Sequence, residues 1–218
     1  MDPRRFFSPD EQAAVAAAAR AAEGRTSGEI VPYVVGRCDD YAEAAWAGAA
    51  LGALLSVGVA ATWPLVTDTW APAGLVWRVL PPLAGAAAGY ALTAFVPAVA
   101  RRLVPAATLD RRAHLRAEAA FLEEEVFDTR DRTGILILLA LFERRAVVMA
   151  DAGIHARVAP GAWDAVVSPL VAGIRAGRPA EALIKAIGRC GDILETHQVT
   201  RHPDDHDELT DDLRIRSE

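Results

Sequence analysis

The sequence predicts an α/β domain, a small mixed sheet flanked by helices, interrupted by a two-helix transmembrane hairpin. Three observations carry this. Residues 44–99 are almost uninterruptedly apolar, with Asp68 and Arg78 the only charges between Glu43 and Arg101. Short β-branched or aliphatic runs stand at 29–36, 134–142 and 146–151. Segments of helical periodicity separate and follow them.

The first helix is expected over 8–23. Ser8 is an N-cap residue, Pro9 suits the first helical position, and Glu11 completes a capping box. Phe6 and Phe7 precede it, as anchors to the core rather than residues that dip into the membrane surface. The run EIVPYVVG (29–36) reads as a strand. Pro32 cannot donate a ladder hydrogen bond, so an edge position or a bulge is expected.

Two spans follow, at 44–66 and 75–99. Each exceeds the roughly 20 residues that cross a bilayer. Trp63, Trp70 and Trp77 gather around the connecting loop as an interfacial belt. That loop carries no base before Arg78, whereas Arg25, Arg37, Arg101, Arg102, Arg111, Arg112 and Arg116 flank the hairpin. The positive-inside rule then sets both termini in the cytoplasm of a bacterial inner (plasma) membrane. The N-terminus lacks the pattern of a signal peptide, so the hairpin is expected to direct insertion. Gly48–Gly52 and Gly85–Gly89 are GxxxG patterns, which let helices approach closely or arise by chance in an Ala/Gly-rich stretch. Counted from span ends at 44 and 99, they are offset in depth. Pro81, Pro82 and Pro97 are expected to bend the second span.

Residues 107–127 read as a helix with Leu115, Ala119, Leu122 and Val126 on its apolar face. GILILLALF (134–142) is a buried central strand, FERRA a reversal, and AVVMAD (146–151) the returning strand. A helix over 160–176 should bury Trp163, Val166, Val167, Leu170 and Ile174, but Pro169 should kink or split it. The last helix, 179–197, should bury Leu183, Ile184, Ile187, Ile193 and Leu194. The tail 200–218 is acidic and poor in apolar residues, and is expected to be disordered. The domain organisation is therefore 1–43 plus 101–198 as one cytoplasmic α/β domain, with spans 44–66 and 75–99 inserted in it.

The net charge of −6 disfavours nucleic acid as a partner. The lipid bilayer is the first expected partner; a membrane protein or a second copy of the chain is the next. Cys38 and Cys190 lie far apart and suggest reduced thiols. No GxGxxG, Walker loop, HExxH, nucleophile elbow or Cys/His box is present, and no catalytic residue is assigned. His202 and His206 stand four apart, in a stretch whose Pro203 and acids favour a solvated tail over a metal site. Glu29, Asp39, Asp40, Asp131 and Asp151 stand at strand ends. They are capping and turn residues, or oxygen ligands for Ca2+ or Mg2+ if they converge. Glu29, Asp131 and Asp151 are the metal candidates. Arg130, Arg132, Arg144 and Arg145 either pair with these acids or bind phosphate or anionic lipid.

The order Ser27-Gly28-Glu29-Ile30-Val31, Arg132-Thr133-Gly134-Ile135-Leu136-Ile137, Phe142–Val148 and Ala150-Asp151-Ala152-Gly153-Ile154 resembles the TPM domain family, in its bacterial integral-membrane branch. The resemblance spans 27–195 apart from the hairpin. It implies a mixed sheet flanked by helices. It also implies a helper role for membrane complexes, divalent-ion binding, or phosphatase activity, which different members show. The hairpin inserted after the first strand departs from the family's usual exported domain followed by one transmembrane helix. The expectation is a membrane-anchored accessory or scaffold protein; the alternative is a divalent-metal-dependent phosphatase using Glu29, Asp131 and Asp151.

Overall fold

The computed structural model describes residues 3–67, 75–197, 199 and 209–216. The chain forms two compact units. One joins Met1–Asp39 with Leu109–Glu218; the other is Asp40–Thr108.

The first unit is α/β, with a four-stranded mixed sheet. Its strands are β1 (Glu29–Val35), β2 (Gly134–Ala140), β3 (Arg145–Ala150) and β4 (Arg214–Arg216), in the order β3-β2-β1-β4. β1 runs parallel to β2 and β4, and β3 is antiparallel to β2. Every residue of β2 is buried, which its unbroken aliphatic run demands. Helix α1 (Pro9–Glu23) opens with the expected capping box: the Glu11 N–H donates to Ser8 Oγ at 3.2 Å, and the Ser8 N–H donates to Glu11 Oε2 at 2.8 Å. Phe7 enters the core, but Phe6 is exposed.

Two expectations about the sheet fail. β1 is internal, not an edge. N–H groups of alternate residues in a strand point to opposite neighbours. Glu29 donates toward β2, to Thr133 O; Ile30 and Gly36 donate the other way, Gly36 to Arg216 O of β4. Pro32 shares that second side, and β4 pairs only with Tyr33–Val35. The missing donor thus falls just short of the β4 ladder. The second failure is the tail. Residues 209–216 are ordered, and Arg214–Arg216 form β4. An acidic composition does not prevent pairing where Glu124 accepts both Arg214 Nε, at 3.2 Å, and Arg216 Nη2, at 3.1 Å. The stretch 200–208, with His202 and His206, lies outside the described residues.

One face of the sheet (Ile30, Val34, Ile135, Ile137, Leu139) packs with residues of α1, α7 (Asp164–Arg175) and α8 (Pro179–Thr196). The other face (Val31, Tyr33, Leu136, Leu138) packs with Ala113, Ala117 and Ala120 of α5 (Ala106–Glu123). The expected apolar face of 107–127 holds only in part: Val126 is buried, but Leu115 and Leu122 are exposed, and an alanine stripe is buried in their place. Small side chains let the helix lie close against bulky strand residues. α7 is preceded by a 3-10 turn, Pro160–Trp163, and runs unbroken through Pro169. The carbonyl that the residue at 169 would normally use belongs to Ala165; Arg189 Nη1 of α8 donates to it at 2.7 Å. Val166, Leu170, Leu183, Ile187 and Leu194 are buried as the periodicity predicts.

The second unit contains α2 (Ala42–Thr67), α3 (Leu75–Phe95) and α4 (Pro97–Leu103). The expected helix over 75–99 ends early. Pro97 disfavours helical backbone at Val96, which sits at φ −113°, ψ 95°, and the chain turns by 105° into α4. Pro81 and Pro82 lie inside α3.

This early end corrects the depth of the glycine patterns. Gly48 stands six residues after Ala42 and Gly89 six before Phe95; Gly52 and Gly85 each stand ten from those same ends. The two motifs face each other. A Cβ at Gly52 would lie 2.9 Å from the Gly85 carbonyl carbon, and one at Gly89 the same distance from that of Gly48. Trp46 meets Tyr90 edge-on beside them, with ring centroids 5.6 Å apart. The loop residues Asp68 and Trp70, and the side chain of Trp77, lie outside what is described.

Candidate functional site

The three metal candidates stand at one end of the sheet, where β1 and β2 begin. Glu29 pairs in register with Gly134, and the Asp151 N–H donates to the Gly134 carbonyl. The Asp131 carbonyl lies against Gly153, where a Cβ would also come within 2.7 Å of Arg132 O. The topology thus brings the three neighbourhoods together. It does not assemble a ligand set: among the described residues, no group of three His, Cys, Asp or Glu could hold a metal ion. Asp151 is committed elsewhere. Its carboxylate accepts Arg132 Nε at 2.6 Å and Nη2 at 3.0 Å, and the Ala152 N–H at 2.7 Å, capping α6 (Ala152–His155). At Asp151, capping and ion-pair chemistry takes the place of the expected Ca2+ or Mg2+ ligand role. Arg132, one of the anion-binding candidates, is thereby an Asp151 partner. Arg145 pairs with Asp110.

The opposite end carries the carboxyl termini of β1, β2 and β4, where ligands of open α/β sheets gather. Here Glu143 is fully buried and accepts the Cys38 N–H at 2.8 Å. The Arg37 guanidinium lies 4.4 Å from the centre of the Phe142 ring. Arg112 pairs with Asp39 at 2.7 Å. Arg116 bridges the Tyr33 hydroxyl and Glu123. Burial, reinforced by Glu143, holds the Cys38 thiol well above its ordinary range. Burial alone pushes Cys190 up to about 12. Both thiols are therefore protonated near neutral pH and poor nucleophiles. Sequence reasoning placed Asp39 and Asp40 at this end but missed Glu143, which sits in FERRA, a stretch that reads as an exposed turn. The turn folds back beside β1: the Phe142 N–H donates to the Gly36 carbonyl.

Two grooves lie away from the sheet ends. One, about 440 Å³, lies between α7 and α8; Arg178 and Lys185 border it, both held by Glu181. The other, about 360 Å³, lies between α2 and α3 and is lined mainly by Leu51, Leu55, Leu92 and the glycines. Large apolar side chains of this unit face outward. Leu54, Leu55, Val66 and Phe95 are 69, 71, 83 and 84% exposed. Ala42–Trp63 is long and apolar enough to cross a membrane. Arg78–Phe95 and Pro97–Leu103 pass that test only together, as a bent pair.

The fold and these sites define an α/β domain with a four-stranded mixed sheet and an inserted helical unit of apolar surface. No model of a known protein family matches the chain, and no curated protein matches it. The chain is similar to the NMR structure of the BA42 protein from the psychrophilic bacterium Bizionia argentinensis sp. nov., with a TM-score of 0.57 and 18% identity over 96% of this chain and 95% of that one. At that identity the likeness is one of fold.

Proposed function

We propose that the chain is a membrane-anchored accessory protein whose helical hairpin spans a bacterial inner membrane and holds a TPM-like α/β domain on the cytoplasmic side. The outward-facing apolar side chains of α2 and α3 carry this reading. In water that surface would be a strong aggregation site; in lipid it is solvated. At 26 and 21 residues, the helices are about 39 and 32 Å long at ~1.5 Å per residue, enough for a core of ~30 Å. In this reading α4, which follows a 105° turn and carries Arg101 and Arg102, lies along the headgroup plane. The flanking arginines give the orientation. The resemblance to the TPM domain is supported by its matched segments falling on β1, β2, β3 and α6. A scaffold role fits a domain whose described arginine–carboxylate pairs are closed and whose thiols are protonated.

Carbonate extraction and in-membrane cross-linking test the proposal. The chain stays in the pellet, a cysteine at Ala73 is labelled from the periplasmic side only, and a membrane partner or second copy is captured in fixed ratio. Release by carbonate would overturn the anchor. A monomer that captures nothing would overturn the scaffold role.

A further inference from the structure

Glu23, the last residue of α1, is 5% exposed. Its Oε1 accepts the Ile30 N–H at 2.8 Å; its Oε2 is buried with no donor. Asp211, three residues before β4, is 11% exposed, with Arg20 Nη1 3.6 Å from its Oδ2, while its Oδ1 is likewise buried with no donor. Arg20 and Glu23 stand one turn apart on α1, so the Arg20–Asp211 pair brings Asp211 beside Glu23. Two acceptor oxygens, one from each carboxyl, are thus orphaned at one contact. A single proton satisfies both.

We propose that Glu23 and Asp211 share one proton, and that this proton latches the last strand, β4, onto the edge of β1. The surroundings favour proton uptake. Glu29 on β1 adds a further carboxylate to the site. Arg20 reaches it through Asp211. Arg25, two residues on, is turned to Asp192 and Glu195 of α8. Burial first, then the contact with Asp211, pushes Glu23 from its ordinary 4.5 up to about 9. The sign follows. The docked tail holds a proton that an undocked one releases above the ordinary carboxyl range. Docking is therefore strongest in acid and weakens as pH rises from about 4.5 to about 9. Opening removes the Arg216 carbonyl from the Gly36 N–H and frees the second edge of β1.

Hydrogen exchange on the full chain in detergent micelles tests this between pH 6.5 and 9.5, with rates corrected for intrinsic base catalysis. Protection of the Gly36 amide is expected to fall several-fold per pH unit, up to the tenfold limit for one proton, while Ile137 on β2 stays protected. In Glu23→Gln the new amide donates to Asp211 at every pH, so Gly36 protection is flat. Asp211→Asn gives the same result from the tail side and carries the test if Glu23→Gln does not fold. The proposal is overturned if wild-type Gly36 protection is independent of pH, or if it falls equally in both variants.

Discussion

The facing glycines of α2 and α3 make a sharp quantitative test. An alanine at Gly52 would put its Cβ 2.9 Å from the Gly85 carbonyl carbon. Unstrained carbon contacts sit at ~3.5–4.0 Å, and the Gly85 carbonyl oxygen lies nearer still, so the helices must part by at least roughly 0.6–1 Å. Overpacking of this kind costs about 1–3 kcal/mol, a shift of roughly 5- to 150-fold toward the separated helices. Gly58 lies on the same helix, with nothing within 4 Å of an added Cβ. Gly58→Ala thus keeps the composition change and removes the clash. The Trp46–Tyr90 pair bridges the two helices beside the motif and reports their separation. The chain is labelled with fluorotryptophan, and the Trp46 19F resonance is followed through an SDS titration. Gly52→Ala is expected to shift that resonance and lower the midpoint. Gly58→Ala is expected to do neither. Equal midpoints for the two variants would refute the face-to-face packing.

Other predictions follow from single contacts. Arg189→Met should loosen α7 by about 0.5–1.5 kcal/mol, because Ala165 then turns its carbonyl to water. In a Pro169→Ala background the helix supplies its own donor, so the loss should vanish; amide exchange in α7 reads the difference. Asp151→Ala should destabilise the α/β unit by about 0.5–2 kcal/mol through the lost cap of α6. The exposed Arg132 should add little to that, and Arg132→Ala, measured by the same exchange, should be the milder change. Cys190 should resist iodoacetamide at pH 8 in the folded chain, since its thiol titrates near 12. Rapid alkylation without unfolding would contradict its burial.

Much of the fold is legible in local pattern. The Ser8–Glu11 box, the aliphatic run of β2, the β2–β3 reversal and the buried sets of α7 and α8 all depend on neighbours a few residues apart. The errors have a common origin in distant contacts. Pro32 looked incompatible with an internal strand because the short reach of β4 could not be foreseen. Pro169 looked like a breaker because its relief comes from Arg189, twenty residues on. Leu115 and Leu122 looked like core because hydropathy ranks leucine above alanine, while the sheet needed a helix thin enough to sit close. Asp151 shows the same limit: strand-end acids are visible in sequence, but Arg132 reaching Asp151 is not.

The apolar stretch 44–99 shows the division most clearly. Two long apolar helices interrupting an α/β domain are legible in the chain, since charge depletion and length are one-dimensional properties. Where the second helix stops, and with it which glycines meet, emerges from the folded chain. Ending α3 at Phe95 rather than 99 moves Gly89 and Gly85 to the depths of Gly48 and Gly52. A register between two helices depends on both of their ends, and Pro97 sets one of them through the backbone it forbids at Val96.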